Sequence, residues 1–188
     1  MDYLDEQLLE NKRKQKKEQY RSLETGFYIC NELVKFGRVT IAPLSLSIVL
    51  PTAFVTMPQS MVKVKDQSEN RPQVIKTSLD TRVKAVKPEQ IASLAKQFRT
   101  VVQRVSPANV FYDLKEERTV EEVPLCWFDY KGYAVDEQIY YIMYVTPWGR
   151  GKLLHGTFNC RFRDKDEWKE AARQAILSLK LEEGDNNS

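Results

Sequence analysis

Alternating apolar and polar residues predict a sheet in the second half of the chain. Strands alternate with a period of two residues, because successive side chains point to opposite faces. Four segments follow this pattern: 109–115, 123–131, 138–146 and 152–162. The five residues from Pro147 to Gly151 connect the last two segments, and so short a connection predicts a hairpin.

The first half of the chain predicts shorter strands with more interruptions. Apolar residues in 26–50 recur at strand spacing and are punctuated by prolines. Two further strands are expected at 73–77 and 81–86, with a turn at 78–80 between them. The polar stretch 56–72, which contains two prolines, is predicted to be a loop with a short helical turn.

Two segments have the spacing of amphipathic helices. In Pro88–Val105, apolar residues fall on one face, and Pro88 suits the first helical position because its missing N–H would be unpaired there. The second helix is predicted over 164–181, where Asp164 caps the start and Glu167 reaches back to it. Strands, a helix, more strands and a final helix favour an α+β fold, an antiparallel sheet flanked by helices.

Residues 1–24 differ from the rest and predict a separate, charged helix. They contain six acids and six bases, with most acids first and most bases later, which suits the helix dipole. The apolar stripe is thin, with Leu4 and Leu8 at its start. We therefore expect a protruding helix at 1–24 that mediates self-association or a second contact, a single α+β domain at 25–181 and a disordered tail at 182–188.

Composition indicates a globular protein and limits the classes of partner. The chain has 188 residues, of which 42% are hydrophobic, and a formal net charge of +3. This charge is too small to favour nucleic acid as the main partner. The longest apolar segment, 41–55, is too short and too interrupted to span a bilayer, and the acidic start does not resemble a secretory signal. We expect a cytoplasmic protein without membrane insertion.

The cysteines and the one histidine do not have the spacing of a metal site. Cys30, Cys126 and Cys160 are far apart in the sequence, and His155 is the only histidine. A zinc site needs about four such ligands, usually in close pairs. We expect three buried, reduced thiols, no metal and no cofactor.

His155 is the obvious candidate for a catalytic base. Alternation along 152–162 places it opposite the face that carries Leu154 and Phe158. A catalytic histidine needs an orienting acceptor and a nucleophile within reach. Neither is evident, so a half-exposed strand histidine is the simpler interpretation. A small-molecule pocket or small enzyme site near His155 remains an alternative.

The basic run in the N-terminal helix suggests another alternative. Its members are Lys12, Arg13, Lys14, Lys16 and Lys17. Such a cluster is typical of contact with nucleic acid or an anionic membrane. A solvated helix face with acid–base pairs explains the run equally well.

Aromatic residues are concentrated in two predicted strands. The strand 138–146 is apolar on both faces, which indicates a central strand covered on both sides. If two helices leave part of the sheet uncovered, aromatic side chains there would form a binding surface. The candidate partner contacts are Trp127, Tyr140, Tyr144 and Trp148. The alternative is that all four fill an ordinary core.

Three segments give the chain a resemblance to a known family. The run GKLLHGTFNCRFRDKDEWKEAARQAILSL at 151–179 is similar to the end of PsbP-like and DcrB-like domains, with a hairpin strand, an acidic cap and a closing helix. LSIVLPTAF at 46–54 resembles their beginning, and Pro88–Val105 matches the place of their first long helix. The resemblance implies an α/β/α sandwich over about residues 38–181.

Members of this family are mostly non-catalytic binding proteins, including photosystem subunits, a small-GTPase partner and chaperones of secreted toxins. The resemblance therefore implies no catalytic residue and favours a protein partner. Our leading hypothesis is a non-catalytic cytosolic protein-binding module, a chaperone or adaptor for a secreted or phage-like protein.

Overall fold

The computed structural model describes residues 3–41, 44–54, 74–80, 86–134, 137–149 and 151–181. The helices in these ranges are α1 (Tyr3–Gln19), α2 (Ile91–Val105) and α3 (Lys165–Leu177), with 3-10 turns at Pro88–Gln90 and Phe162–Asp164. The strands are β1 (Arg21–Ser22), β2 (Gly26–Ile29), β3 (Glu32–Val34), β4 (Phe36–Ile41), β5 (Leu46–Pro51), β6 (Val74–Asp80), β7 (Val110–Arg118), β8 (Pro124–Tyr133), β9 (Gln138–Trp148), β10 (Lys152–Arg161) and β11 (Lys180–Leu181).

The central sheet has five strands in the order β6-β10-β9-β8-β7, and every neighbouring pair is antiparallel. The predicted hairpin is confirmed, because Lys152 pairs with Trp148 across the β9–β10 turn. Gly149 and Gly151 both have positive φ angles in this turn, a conformation that glycine adopts without steric cost. Two smaller antiparallel sheets, β1-β2-β3 and β11-β5-β4, complete the α+β fold.

The central sheet separates two apolar layers. On one face, α2 packs through Ile91 and Ala95 against Cys126, Val145 and Leu153. The opposite face is the larger core, in which α3 and the smaller sheets cover β8, β9 and β10. Its buried side chains include Trp127, Tyr140, Ile142, Tyr144, Phe158, Trp168, Ala172 and Ile176. A strand apolar on both faces is therefore central and doubly covered, as the pattern of β9 predicted.

The N-terminal helix is shorter than the prediction of 1–24. It ends at Gln19, and Arg21–Ser22 pairs with β2 instead. Ser22 Oγ accepts a hydrogen bond from the Thr25 backbone N–H at 3.1 Å, which closes a tight turn before Gly26. A local serine turn competes with helix continuation, so the helix stops there.

Three local predictions about element ends are wrong. Residues 78–80 are not a turn, because β6 runs through them and pairs with β10 as far as Asp80. The last helix ends at Leu177, and Lys180–Leu181 forms a strand with β5. Asp164 occupies the N-cap position of α3 without a side-chain capping bond, since a 3-10 turn precedes the helix.

Some predictions fall outside the described residues. These are the loop at 56–72, most of the strand at 81–86 and the tail at 182–188. Within the described parts of the chain, no helix is long and apolar enough to cross a membrane.

Candidate binding surfaces

The four aromatic residues predicted to contact a partner are core residues in this fold. Tyr140 and Tyr144 have no exposed surface, and Trp127 and Trp148 are 3% and 6% exposed. The expected open aromatic face is therefore not formed by these residues, because α3 and the small sheets cover it. A role for them in partner binding stays a prediction, and their burial argues against it.

The polar tips of two of these aromatic residues are satisfied inside the protein. Trp148 Nε1 donates to the Leu44 carbonyl at 3.2 Å. The Tyr140 hydroxyl donates to Asp129 Oδ2 at 2.7 Å. Buried tyrosine and tryptophan need such partners, and the sequence pattern cannot show whether the partner is internal or external.

Asp129 is the centre of a buried polar network that sequence reasoning missed. Its side chain has no exposed surface and lies under α3. The carboxylate accepts hydrogen bonds from the Asp113 backbone N–H and from Lys169 Nζ, both at 2.7 Å, besides that from Tyr140. Lys169 Nζ also donates to Asp113 Oδ2 at 2.7 Å. We call Asp113, Asp129, Tyr140 and Lys169 the Asp129 network.

Charges and hydrogen bonds shift the pKa values within this network. The hydrogen bond from Lys169 lowers the pKa of Asp113. For Lys169, burial disfavours the charged form, but the hydrogen bonds to Asp113 and Asp129 and the negative charges of these two carboxylates together outweigh burial and raise its pKa. Burial, followed by the hydrogen bond to Asp129, raises the pKa of Tyr140 well above its ordinary range. These shifts describe a structural ion network, since all its groups are engaged with one another.

A β-bulge in β7 brings the network together. The register with β8 shifts between Phe111 and Leu114. As a result Tyr112 and Asp113, although adjacent in sequence, both contact groups on the α3 side of the sheet. Phe111 instead packs against Phe128, which lies towards α2. Strict alternation would have placed Tyr112 and Asp113 on opposite faces.

Beside the network lies a cluster of aromatic rings and lysines that is partly exposed on the surface. The aromatic–lysine surface consists of Tyr112, Lys131, Tyr133, Phe162 and Lys165. Tyr112 and Tyr133 are 40% and 49% exposed. The Tyr112 and Phe162 rings stack with their centroids 6.4 Å apart. The surface is formed where β7 begins, β8 ends and the 3-10 turn precedes α3.

The two lysines of this surface lie over the rings. Lys131 Nζ is 5.2 Å from the Phe162 centroid and 5.4 Å from that of Tyr133. Lys165 Nζ is 5.3 Å from the Tyr112 centroid and 5.7 Å from that of Phe162. Cation–π contacts hold each ammonium group in place, and Lys165 Nζ also forms an ion pair with the exposed carboxylate of Asp166 at 3.2 Å. The arrangement can bind a carboxylate beside an apolar side chain.

The basic run lies on α1, beside a groove. Residues 5–19 are exposed throughout, including the five bases at positions 12–14, 16 and 17. Lys12, Arg13 and Lys16 line a groove of about 400 Å³ between α1 and the β2–β3 hairpin, which contributes Tyr28 and Asn31. We call this the helix–hairpin groove. Lys16 Nζ lies 5.1 Å from the Tyr28 ring centroid, and Lys17 forms an ion pair with Glu167.

His155 is partly buried on the α2 side of the sheet. Its ring centroid is 5.6 Å from that of Phe98 in α2. In the sheet it pairs with Val145 on one side and Ser78 on the other. A half-exposed strand histidine was the simpler prediction, and this position agrees with it. Neither the helix–hairpin groove nor a second groove between Pro88 and β7 includes His155.

The cysteines are free, but one is not buried as predicted. Cys126 and Cys160 are buried, whereas Cys30 is exposed in the β2–β3 turn with a positive φ angle. Burial raises the pKa of Cys126 to about 11 and also raises that of Cys160. Partial burial and the nearby carboxylates of Asp164 and Glu167 raise the pKa of Cys30. None of the three is therefore an activated nucleophile at neutral pH.

No protein-family model and no curated protein matches the sequence. Among solved structures, cyanobacterial PsbP (CyanoP) from Synechocystis sp. PCC 6803 is similar over 80% of this chain and 94% of its own, with a TM-score of 0.54 and 10% identity. PA94 from Pseudomonas aeruginosa, a protein of unknown function, is similar over 77% and 96%, with a TM-score of 0.40 and 11% identity.

The Saccharomyces cerevisiae Ran-binding protein Mog1p is similar over 80% of this chain and 97% of its own, with a TM-score of 0.48 and 7% identity. At such identities the likeness concerns the fold alone. The match to CyanoP agrees with the five-stranded antiparallel sheet and its flanking helices. The chain therefore has a PsbP-like α+β fold.

Proposed function

We propose that this protein is a non-catalytic, cytoplasmic protein-binding module and that its partner binds the aromatic–lysine surface. One observation carries the proposal: two exposed tyrosine rings, Tyr112 and Tyr133, lie beside the ammonium groups of Lys131 and Lys165 on the domain surface. Tyrosine and other aromatic residues dominate the energy of protein interfaces because they bury large area with few rotatable bonds.

The chemistry of the surface selects the kind of partner. Tyr112 and Tyr133 offer apolar rings with a hydroxyl at the edge, and Lys131 and Lys165 offer two positive charges. A partner segment that carries carboxylates between apolar or aromatic side chains would complement both features. We propose such an acidic, amphipathic segment as the ligand. A chaperone or adaptor for a secreted or phage-like protein is the role that fits it.

A second function is not supported by a specific feature of the described residues. Among the described residues, His155 contacts Phe98 and lines neither the helix–hairpin groove nor the groove beside Pro88. Cytoplasmic location is proposed because two of the three free thiols are enclosed in the core, which suits a reducing compartment.

Site-specific photo-crosslinking in the native host tests the proposal. A benzoylphenylalanine replaces Tyr133 in one variant and Val105, 81% exposed on α2, in a control variant. We expect one discrete cross-linked protein with the probe at position 133 and none at 105. The captured protein is then purified and its affinity for the wild-type chain is measured. Equal cross-linking from both positions, or none from 133, contradicts the proposal.

A further inference from the structure

The α1 helix projects from the domain and is anchored by its C-terminal end. Lys16 lies over the Tyr28 ring, Lys17 pairs with Glu167, and the Arg21 side chain donates to the Lys17 carbonyl. Towards its start the helix exposes two leucines, Leu8 at 57% and Leu9 at 56%. Helices of this length are marginal in water without a packed face, so the exposed turns of α1 gain stability from any surface that covers the leucines.

The charges of α1 are divided between its two halves. Asp5, Glu6 and Glu10 lie in the first half, which has no base. The run from Lys12 to Lys17 contains five bases and no acid. A second α1 placed antiparallel sets each acidic half beside a basic half, whereas a parallel copy sets like charges together. The charge order is thus complementary to itself in one orientation only.

One face of α1 carries this complementarity together with apolar surface. Spacings of four, three and four residues place Asp5, Leu9, Lys12 and Lys16 on the same side of the helix. Leu9, Lys12 and Lys16 line the helix–hairpin groove. An antiparallel copy brings its Asp5 towards Lys16 and lays its Leu9 beside the aliphatic stem of Lys12. The same contacts recur at the other end by two-fold symmetry.

We propose that the helix–hairpin groove binds the acidic half of α1 from a second copy of this chain, forming an antiparallel homodimer. Charge complementarity identifies α1 of the second copy as the segment that binds. The carboxylates of that helix lie near Lys12, Arg13 and Lys16, and its leucines contact the end of the groove that Leu9 lines. Since the interface is small and strongly charged, the dimer is weak and sensitive to salt. The helix–hairpin groove and the aromatic–lysine surface share no residue.

Sedimentation velocity of the full chain tests the dimer, at concentrations up to about 0.1 mM and in about 0.05 M and 0.5 M salt. We expect a monomer–dimer equilibrium that weakens at the higher salt. Asp5→Lys with Glu6→Lys, and separately Lys12→Glu with Lys16→Glu, should each weaken the dimer at least about tenfold. The four changes combined in one chain should restore it, because the charges are exchanged rather than lost.

A matched control uses the opposite face of the same helix. Lys14→Glu with Glu18→Lys exchanges two exposed charges there and should leave the dimer unchanged. Circular dichroism of each variant checks that α1 still forms. A chain that stays monomeric, a dimer indifferent to both reversals, or reversals that the combination does not rescue would each overturn the proposal. The proposal would also be overturned if the chain stayed monomeric and bound duplex DNA through α1 in a salt-sensitive manner.

Discussion

Asp129 brings a full negative charge into the larger core, and three donors stabilise it there. Tyr140, Lys169 and the Asp113 backbone supply those donors at 2.7 Å each. Removing one partner from a buried ion pair leaves an uncompensated charge, which costs more than the pair itself contributes. The network therefore links α3 to β7 and β8 through Lys169.

Replacing Lys169 should destabilise the domain more than its partial exposure suggests. Lys169→Met keeps the packing over Trp127 but removes the ammonium, and we expect a loss of about 3 kcal/mol in the free energy of unfolding. Urea unfolding measures the loss. Lys169→Met combined with Asp129→Asn should cost less than the sum of the two single changes, since the buried charge is then absent. Additive effects would show that the two groups are not coupled.

The network also predicts a pH dependence with a definite sign. The pKa of Asp113 is lowered by Lys169, so its ionised form contributes stability above its unfolded pKa of about 4. That contribution is lost as the pH falls through the lower, folded value. Across this acidic window the wild type should lose more unfolding free energy than Lys169→Met, whose Asp113 has no ammonium partner. Parallel losses in the two proteins would contradict the assignment.

Cys30 is exposed, but its surroundings raise its pKa, so little of the side chain is in the reactive thiolate form. Partial burial and the carboxylates of Asp164 and Glu167 raise its pKa, and the thiol hydrogen-bonds to Asp164. We expect iodoacetamide at about pH 8 to modify Cys30 alone in the folded protein and more slowly than a free thiol. Asp164→Asn should speed the reaction by lowering the thiol pKa. Peptide mass spectrometry after timed quenching gives the rates, and modification of Cys126 at the same rate would contradict the fold.

At the scale of elements, the sequence pattern predicts most helices and strands but not the features that build the surface. Periodicity is a property of regular elements, so α2, α3 and the β9–β10 hairpin follow from it. The β7 bulge is a local break in that period, and it alone puts Tyr112 and Asp113 on one side. Whether Tyr140 is covered depends on the small sheets, which are distant in sequence.

The start of β2 should be intolerant of a side chain. Gly26 has φ of +95°, and a Cβ atom there would lie 2.7 Å from the Val34 carbonyl oxygen. Gly26→Ala should therefore cost about 2 kcal/mol or more of unfolding free energy. Gly149 is the control, because its φ is +54° but nothing lies within 4 Å of the added atom. Gly149→Ala should cost about 1 kcal/mol of unfolding free energy. If thermal unfolding shows the same loss of stability for both variants, the close packing of Gly26 in the β2–β3 hairpin is contradicted.

At the scale of the whole molecule, the two proposed contacts use different residues. The aromatic–lysine surface lies at the ends of β7 and β8, and the helix–hairpin groove lies along α1. The sequence predicted an aromatic binding surface made of Trp127, Tyr140, Tyr144 and Trp148. In the structure these four residues are buried in the core. Which aromatic residues remain exposed depends on how far α3 extends over the sheet, and no local pattern encodes that.

The affinity of the captured partner for charge-reversed variants tests the central claim most directly. Lys131→Glu with Lys165→Glu reverses the aromatic–lysine surface, and Lys96→Glu with Lys115→Glu reverses two exposed lysines outside it. Titration calorimetry should show binding to the wild type and to the second variant with similar affinity, and at least about a tenfold loss for the first. Unchanged binding by the first variant, or an equal loss in both, would contradict the proposed surface.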